Sequence, residues 1–319
     1  MVRPRISVLI PAYNAAATIG ETLESLRAQT FTNWEAIVID DGSTDDTAGA
    51  IAALRDPRIR VFRYPNGGQA ESRNRALQWA KGDFIAFLDA DDWWTPDKLQ
   101  DQLAALEGDR AAAVAYSWTD YVGDRNERLH PGFHSGPSGE VYQALLLNNF
   151  IENGSNPLVR RAAIEAVGGF RDRFIPAEDW DYWLRLARQF PFVAVPKAQV
   201  RYRVSAVSSS ANLDRLERAC GAVLDEHLSN NPQGRSLARP AKARFYKGLA
   251  CKAFSAGPAN RWRAVRSLRL LALAVIHRPV WLVQEPKFIA VMLVKIAAIA
   301  LLGPNRWQRR RSPLHQKSA

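Results

Sequence analysis

Cysteine is nearly absent. The 319 residues hold two, Cys220 and Cys251, too few for a disulfide framework and at a spacing that matches no zinc site. A reducing compartment is therefore expected. No Gly-x-Gly-x-x-Gly follows the first apolar run, which argues against a dinucleotide oxidoreductase. No signal-peptide core opens the chain. Met-Val-Arg-Pro-Arg leads into the short apolar run Ile6–Ile10 with no small-residue cleavage site after it, and that run reads as a buried strand. Internal repeats are missing too. With 47% hydrophobic and 24% charged residues, bulk disorder is excluded. The length allows one large core, or one core with an appendage.

Acids are missing from the last quarter. Residues 235–319 carry 18 Lys and Arg against one acid, Glu285, a formal +17; the whole chain is +11, which leaves −6 for the rest. A basic, apolar segment suits an anionic membrane surface. Its bases lie among aliphatic residues and not among stacking aromatics, so nucleic acid is not expected as a partner. Long hydrophobic runs are also missing. Leu268–Ile276 is apolar, and Phe288–Leu302 is apolar except for Lys295. The second reaches about 22 Å as a helix, short of the roughly 30 Å hydrocarbon core of a bilayer. The flanking Arg261, Trp262 and Arg263, and Arg306, Trp307 and Arg309–Arg311, suit helices lying at anionic headgroups. The alternative is that these helices pack on the preceding domain or on another subunit.

What is present before that quarter is an α/β pattern with a mostly parallel sheet. Strands are expected at Ile6–Ile10, Ala36–Ile39, Ile59–Tyr64, Phe84–Leu88, Ala111–Ser117, Phe192–Val195 and Gln199–Arg203. Helices are expected around Ile19, Leu23 and Leu26, then at Thr47–Leu54, Gln69–Ala80, Val141–Leu147, Ala162–Val167 and Trp180–Gln189. Another helix opens at Thr95 and Pro96, an N-cap and first-turn pair, and ends at Gly108. The polar stretch Tyr121–Ser138 reads as a long loop over a site. After about Ala211 only helical signals remain, with Asn231-Pro232-Gln233-Gly234 as a linker. The expected division is a domain of residues 1–210 and a basic helical region of residues 211–319.

Carboxylates cluster directly after two apolar strands: Asp40-Asp41, and Asp89-Ala90-Asp91-Asp92. Ligands of parallel sheets bind outside the carboxyl ends of the strands. Four neighbouring positions with three acids repel one another unless a cation or donor neutralises them. A hard cation, Mg²⁺ or Mn²⁺, takes oxygen ligands and shares its shell with a ligand's phosphates. If the backbone stays extended, the first and third side chains of Asp-x-Asp point the same way. A solvated acidic turn, or a cap on the next helix, is the plainer reading, and Thr95 as a separate cap counts against the latter.

Val8-Leu9-Ile10-Pro11-Ala12-Tyr13-Asn14, Asp40-Asp41-Gly42-Ser43-Thr44-Asp45, Asn66-Gly67-Gly68-Gln69-Ala70-Glu71-Ser72-Arg73-Asn74, Leu88-Asp89-Ala90-Asp91-Asp92 and Val167-Gly168-Gly169-Phe170 with Glu178-Asp179-Trp180-Asp181 stand in this order. Together they closely resemble glycosyltransferase family 2, over about residues 5–210. The resemblance implies a GT-A fold and an inverting transfer of one sugar from a nucleoside-diphosphate sugar, a UDP-sugar, to a saccharide or lipid-linked acceptor, as in cell-surface polysaccharide or glycolipid synthesis. It implies Mn²⁺ or Mg²⁺ as cofactor. An enzyme peripheral to the inner face of the cytoplasmic membrane fits this. A nucleotide-sugar-binding scaffold without catalysis is the alternative, and the retained Asp89, Asp91 and Asp179 argue against it.

The resemblance also implies roles. Pro11, Ala12 and Tyr13 match the wall beside the base, and Asp41 the carboxylate that accepts from a uracil or thymine imide. Arg73 matches a basic residue facing base or diphosphate. Asp91 matches the metal ligand, Asp89 the acid facing ribose or a metal-bound water, and Asp92 a support behind them. Asp179 matches the base that deprotonates the acceptor hydroxyl, with Glu178 as second choice. Arg203 is a candidate diphosphate contact, because Ser205 stands where many members carry a histidine. No Gln-x-x-Arg-Trp motif is present, which favours single-sugar addition. Plainer readings stay open. Asp41 can form a turn, Arg73 can lie on a helix surface, and Glu178 and Asp179 can cap a helix. Gly168-Gly169 can end the preceding helix, and Trp93 and Trp94 can be core residues.

Overall fold

The computed structural model describes residues 3–204, 212–231, 234–255 and 261–302. The chain divides into two compact units, residues 1–205 and 206–319.

Unit one is built on a nine-stranded sheet. In chain order its elements are β1 Ile6–Ala12, α1 Ile19–Arg27, β2 Trp34–Asp40, α2 Thr47–Ala52, β3 Ile59–Arg63, α3 Gln69–Trp79, β4 Phe84–Phe87, β5 Trp93–Trp94 and α4 Lys98–Gly108. Then come β6 Val114–Val122, β7 Arg128–Pro131, α5 Tyr142–Leu147, β8 Leu158–Arg160, α6 Arg161–Val167, α7 Glu178–Ala187 and β9 Phe192–Arg203. The order is β3-β2-β1-β4-β8-β6-β9-β5, with β7 on β6. The first four strands are mutually parallel. All seven residues of β1 and of β2 are buried, as expected for strands covered on both faces. Beyond β4 the sheet is mixed: β8 runs antiparallel to β4 and β6, β9 parallel to β6.

Three short strands carry no periodic signal of their own, and two alter the site. β5 is the pair Trp93–Trp94, antiparallel to β9, so the acidic segment is pinned by β4 before it and β5 after it. The Tyr121–Ser138 segment is not all loop, because it opens with the β6–β7 hairpin. Phe192–Arg203 is one continuous strand, with register shifts around Trp118 of β6. Helix α4 starts later than Thr95-Pro96 suggests. Its N-cap is Asp97, while the Thr95 amide donates to the Gln199 carbonyl at 3.0 Å and its hydroxyl to Asp97 at 2.6 Å. The core below the site joins Ile6, Val8, Ile10, Ile19, Leu23, Val38, Ala86 and Leu99.

Unit two is helical: α8 Leu213–Ser229, α9 Gly234–Ser255, α10 Arg261–His277, α11 Trp281–Gln284 and α12 Pro286–Leu302. Asn212 caps α8, its side chain accepting from the Arg215 amide at 3.1 Å. Leu249, Ala250, Ala253, Leu270, Leu271, Met292 and Ile296 form its core. Among the described residues no helix is long and apolar enough to cross a membrane. Pro232 and Gln233 of the expected linker, Ser205, and the cluster from Arg306 to Arg311 lie outside the described residues.

Candidate active site

The site forms at the carboxyl ends of β1, β2 and β4. Directly after β4 the chain turns, and the Asp92 amide donates to the Asp89 carbonyl at 3.1 Å. The extended backbone assumed for Asp-x-Asp is therefore not what brings Asp89 and Asp91 together; the turn does. Their mutual repulsion is real. Burial first, then the Asp89 charge, push the Asp91 carboxyl up to about 6. Asp92 points inward and is fully buried. Its oxygens accept from the Ser155 hydroxyl at 2.5 Å and the Arg203 amide at 3.0 Å. Burial, with Asp91 and Asp89 nearby, raises its carboxyl well above the usual range. Ser155 serves both ends of the turn, since its hydroxyl oxygen also accepts from the Asp89 amide at 3.0 Å.

Asp89 faces Arg73, which is not a surface residue. Arg73 is 1% exposed. Its guanidinium bonds Asp89 at 2.6 Å and Glu178 at 2.9 Å, joining the turn after β4 to the first turn of α7. The packing leaves no slack. The guanidinium lies 5.3 Å over the Phe170 ring, and a Cβ on Gly154 would come within 2.6 Å of Arg73 Nη2. Burial pushes the Arg73 guanidinium down, but Asp89, Glu178 and Asp179 outweigh it and hold the group above its ordinary value. Gln69 adds a second donor to Asp89 at 3.1 Å.

Glu178 and Asp179 open α7, whose N-cap, Ala177, offers no side-chain cap. The Asp179 carboxylate accepts from the Trp180 amide at 2.6 Å, a bond within the first turn of α7. Burial, then the neighbouring Glu178, push the Asp179 carboxyl up to about 7, with Arg73 opposing. Asp181, the third acid of that turn, is committed elsewhere, to Arg171 and to Arg185 at 3.0 Å.

On the β1–β2 side, Pro11 and Ala12 are buried and Tyr13 is 53% exposed. Asn14 takes a left-handed φ of 49° and accepts from the Thr44 amide at 2.8 Å, which fixes the exit of β1 beside that of β2. The Asp41 carboxylate accepts from the Gly67 and Gly68 amides at 2.9 and 2.8 Å, and from Arg75 at 3.3 Å. Each oxygen thus already holds one donor of the turn before α3, and Arg75 adds a third from the helix itself.

Arg203 carries out a structural task. Its side chain donates to the Asp91 carbonyl at 3.0 Å, the Asp124 carbonyl at 3.1 Å and Glu21 at 2.5 Å, and packs 4.8 Å over Trp93. It clamps the acidic turn from behind. Gly169 approaches Asn74, not open space: a Cβ there would lie 2.5 Å from the Asn74 Oδ1 that accepts the Phe170 amide. Trp94 is buried, its indole donating to the Ser155 carbonyl at 2.8 Å, while Trp93 is half-buried.

Sequence reasoning missed Ser155, Gly154, Gln69 and Glu21. The 150–156 segment is mostly buried, and Asn156 fixes it to β6 through the Ser117 amide and carbonyl at 2.8 and 2.7 Å. Glu152 is its partly buried member, accepting from the Tyr121 hydroxyl at 3.1 Å and the Phe133 amide at 3.0 Å. Burial pushes its carboxyl up to about 7.

The family model described as Glycosyl transferase family 2 matches residues 7–168, the stretch that carries β1, the Arg73 helix and the acidic turn. The chain belongs to glycosyltransferase family 2. It is 34% identical over 210 residues to the Escherichia coli UDP-Glc:alpha-D-GlcNAc-diphosphoundecaprenol beta-1,3-glucosyltransferase WfaP, covering 65% of this chain and 80% of that one. Not all relatives are of this size. The chain spans 26% of an uncharacterised protein y4gI of Sinorhizobium fredii, at 32% identity over 247 residues and 73% of this chain. Among solved structures, S. aureus TarS 1–349 in complex with UDP-GlcNAc aligns with TM-score 0.60 at 18% identity, over 86% of this chain and 89% of that one. A mannosyltransferase from Pyrobaculum calidifontis in complex with GDP-Man and Mn²⁺ aligns with TM-score 0.59 at 20% identity, over 94% and 88%. The family 2 glycosyltransferase therefore has the GT-A fold, with a helical C-terminal appendage.

Proposed function

We propose that this family 2 glycosyltransferase moves one sugar from a UDP-sugar to a lipid-linked saccharide with inversion at the anomeric carbon, at the inner face of the cytoplasmic membrane. One observation carries the reading. Arg73 ties Asp89 of the acidic turn to Glu178, whose neighbour Asp179 opens α7. A donor-side carboxylate pair and a basic carboxylate thus face one another in a single cluster.

Each residue has a task in that reaction. The β1 exit, with Pro11, Ala12 and Tyr13, and Asp41 hold the nucleoside. Asp179 removes the acceptor hydroxyl proton as that oxygen attacks the anomeric carbon, and the nucleoside diphosphate departs in the same displacement. With one base and no nucleophilic side chain required, the anomeric centre inverts. Glu178 anchors Arg73, and Arg203 positions the acidic turn in place of contacting the diphosphate.

The donor set fits Mg²⁺ or Mn²⁺ that arrives with a diphosphate. Among the described residues no three acids, histidines or cysteines form a protein-only metal cage, and such ions need only one or two carboxylates plus phosphate oxygens. Asp91, with Asp89 beside it, would hold the ion, which when bound neutralises charge on the leaving diphosphate. The Mn²⁺ complex of the P. calidifontis structure supports a divalent ion as cofactor, and the acceptor and donor of WfaP support the substrate class.

The test is donor turnover by the purified chain with and without Mg²⁺ or Mn²⁺. Loss of turnover in Asp91→Ala and in Asp179→Asn supports the roles. Undiminished turnover in either variant overturns that residue's role, and UDP binding without turnover by the unaltered chain favours a scaffold.

A further inference from the structure

Large apolar side chains are unevenly exposed. Of the sixteen that the described residues leave exposed, ten fall between Trp262 and Val294. They concentrate in two places. At the corner from α10 to α11, Ile276, Val280, Leu282 and Val283 are 68, 46, 53 and 80% exposed. This corner is not frayed. Trp281, within it, is buried, with Lys247 at 5.1 Å over its ring, and Lys247 is ion-paired to Glu285. The second place is α12. Met292, Ile296 and Ile299 turn into the helical core, while Val291 and Val294 are 49 and 67% exposed on its outer side. No charged residue occurs from Phe288 to Val294, and the next, Lys295, reaches to within 5.7 Å of the Phe254 ring.

A soluble helix presents polar residues outward, and an exposed apolar patch of this extent marks a docking surface. Charge decides what docks. Residues 235–319 carry 18 bases against one acid, Glu285, which is already paired with Lys247, so even with Lys242, Arg266 and Arg269 held by acids of α8 like charges would oppose one another between two copies. Exposed apolar side chains in a segment rich in cations instead match a bilayer that contains anionic lipid, whose headgroups meet the bases while the acyl region receives the aliphatics. At 17 residues, α12 is about 25 Å long and lies along such a surface without crossing it.

We infer that the α10–α11 corner and the outer side of α12 form a membrane-docking face that inserts into the headgroup boundary of anionic bilayers. This rests on the reading that the transferase works at a membrane, and it specifies the surface that does the docking.

The experiment floats the full chain with vesicles of phosphatidylcholine alone or mixed with phosphatidylglycerol. The expected result is binding to the mixed vesicles, weakened by salt. Leu282→Asp/Val283→Asp, and separately Val291→Asp/Val294→Asp, should each lower the bound fraction at least about tenfold, since each replaced pair sits in the inserted face. Val61→Asp, at an exposed aliphatic in the other unit, should change nothing. All five positions are exposed, and an unaltered circular dichroism spectrum and unaltered donor turnover confirm folding. Failure of the unaltered chain to float overturns the inference. So does equal flotation of both double variants, or a dimer in sedimentation that the double variants abolish. Absence of donor turnover with flotation intact would instead count against the catalytic reading alone.

Discussion

The two units handle charge in opposite ways. In the catalytic unit, Arg73, Glu178 and Asp92 are buried and each meets a partner of fixed geometry. In the helical unit the bases outnumber the acids, its ion pairs are partly exposed, and ten large apolar side chains between Trp262 and Val294 are exposed. A buried charge is tolerated only where a partner and hydrogen bonds offset its desolvation, so each one marks a position held by specific contacts. An exposed charge costs little and gives little fold stability, so its accumulation reflects affinity for something outside the chain. Substitutions in the two units should therefore differ in what they damage.

The largest effect should come from Asp179→Asn, a loss of roughly 10²–10⁴-fold in turnover. The same group predicts the pH dependence. Asp179 works ionised, and its carboxyl is held up to about 7 by burial and Glu178, so kcat/KM for the acceptor should rise with pH through that region. Stability runs the other way. A carboxyl whose folded value is raised contributes stability below the unfolded value near 4, and this is lost as pH rises through about 7. Asp179→Asn should therefore gain stability over the unaltered chain at pH 8 and not at pH 3, a comparison that urea titrations make directly. Asp91→Ala comes next, with a loss on the order of several hundred-fold at saturating Mn²⁺ and a weakened dependence on the ion.

How much of this was legible beforehand depended on sequence distance. Local signals served well. The apolar runs of β1, β2 and β4, and the acids directly after β2 and β4, lie within a few residues of one another, and their order carried the family. What failed required contacts across the chain. Arg73 meets Glu178 from 105 positions away, and no local pattern distinguishes such an arginine from one on a helix surface. Ser155 lies in an Asn-Gly-Ser-Asn run with neither helical nor strand period, and its value appears only when β8 brings it under the acidic turn. β5 is two residues long, too short for alternation, and the antiparallel course of β8 is fixed by tertiary packing and not by its composition. The contacts of Arg203 are hidden for the same reason: its three acceptors come from Glu21, Asp91 and Asp124, in segments far from it in sequence.

Arg73→Met should rank third. It leaves the Asp89 and Glu178 carboxylates without their partner in a dry site and should cost about 3–5 kcal/mol of stability by urea titration. Arg203→Met should cost less, about 1–3 kcal/mol, because its acceptors are partly hydrated once freed. Its ligand readout separates clamp from contact. If Arg203 positions the acidic turn, the affinity for UDP without divalent ion should stay within about twofold while the Mn²⁺ requirement for turnover shifts upward. A large loss of metal-free UDP affinity would restore the diphosphate role.

The smallest effect should come from Glu285→Gln, and its smallness is informative. Lys247 and Glu285 form an ion pair as close as the Arg73 pairs, but their side chains are 27 and 35% exposed against 1 and 3% for Arg73 and Glu178. Solvent screening should therefore reduce its contribution to about 0–1 kcal/mol, lower still in high salt. Neutralising Glu285 also removes the one acid of residues 235–319. Anionic-vesicle binding should consequently rise, by about fivefold at most, while donor turnover stays unchanged. A stability loss comparable to that of Arg73→Met would mean that the helical unit, like the catalytic one, depends on specific ion pairing, and the contrast between the two units would not hold.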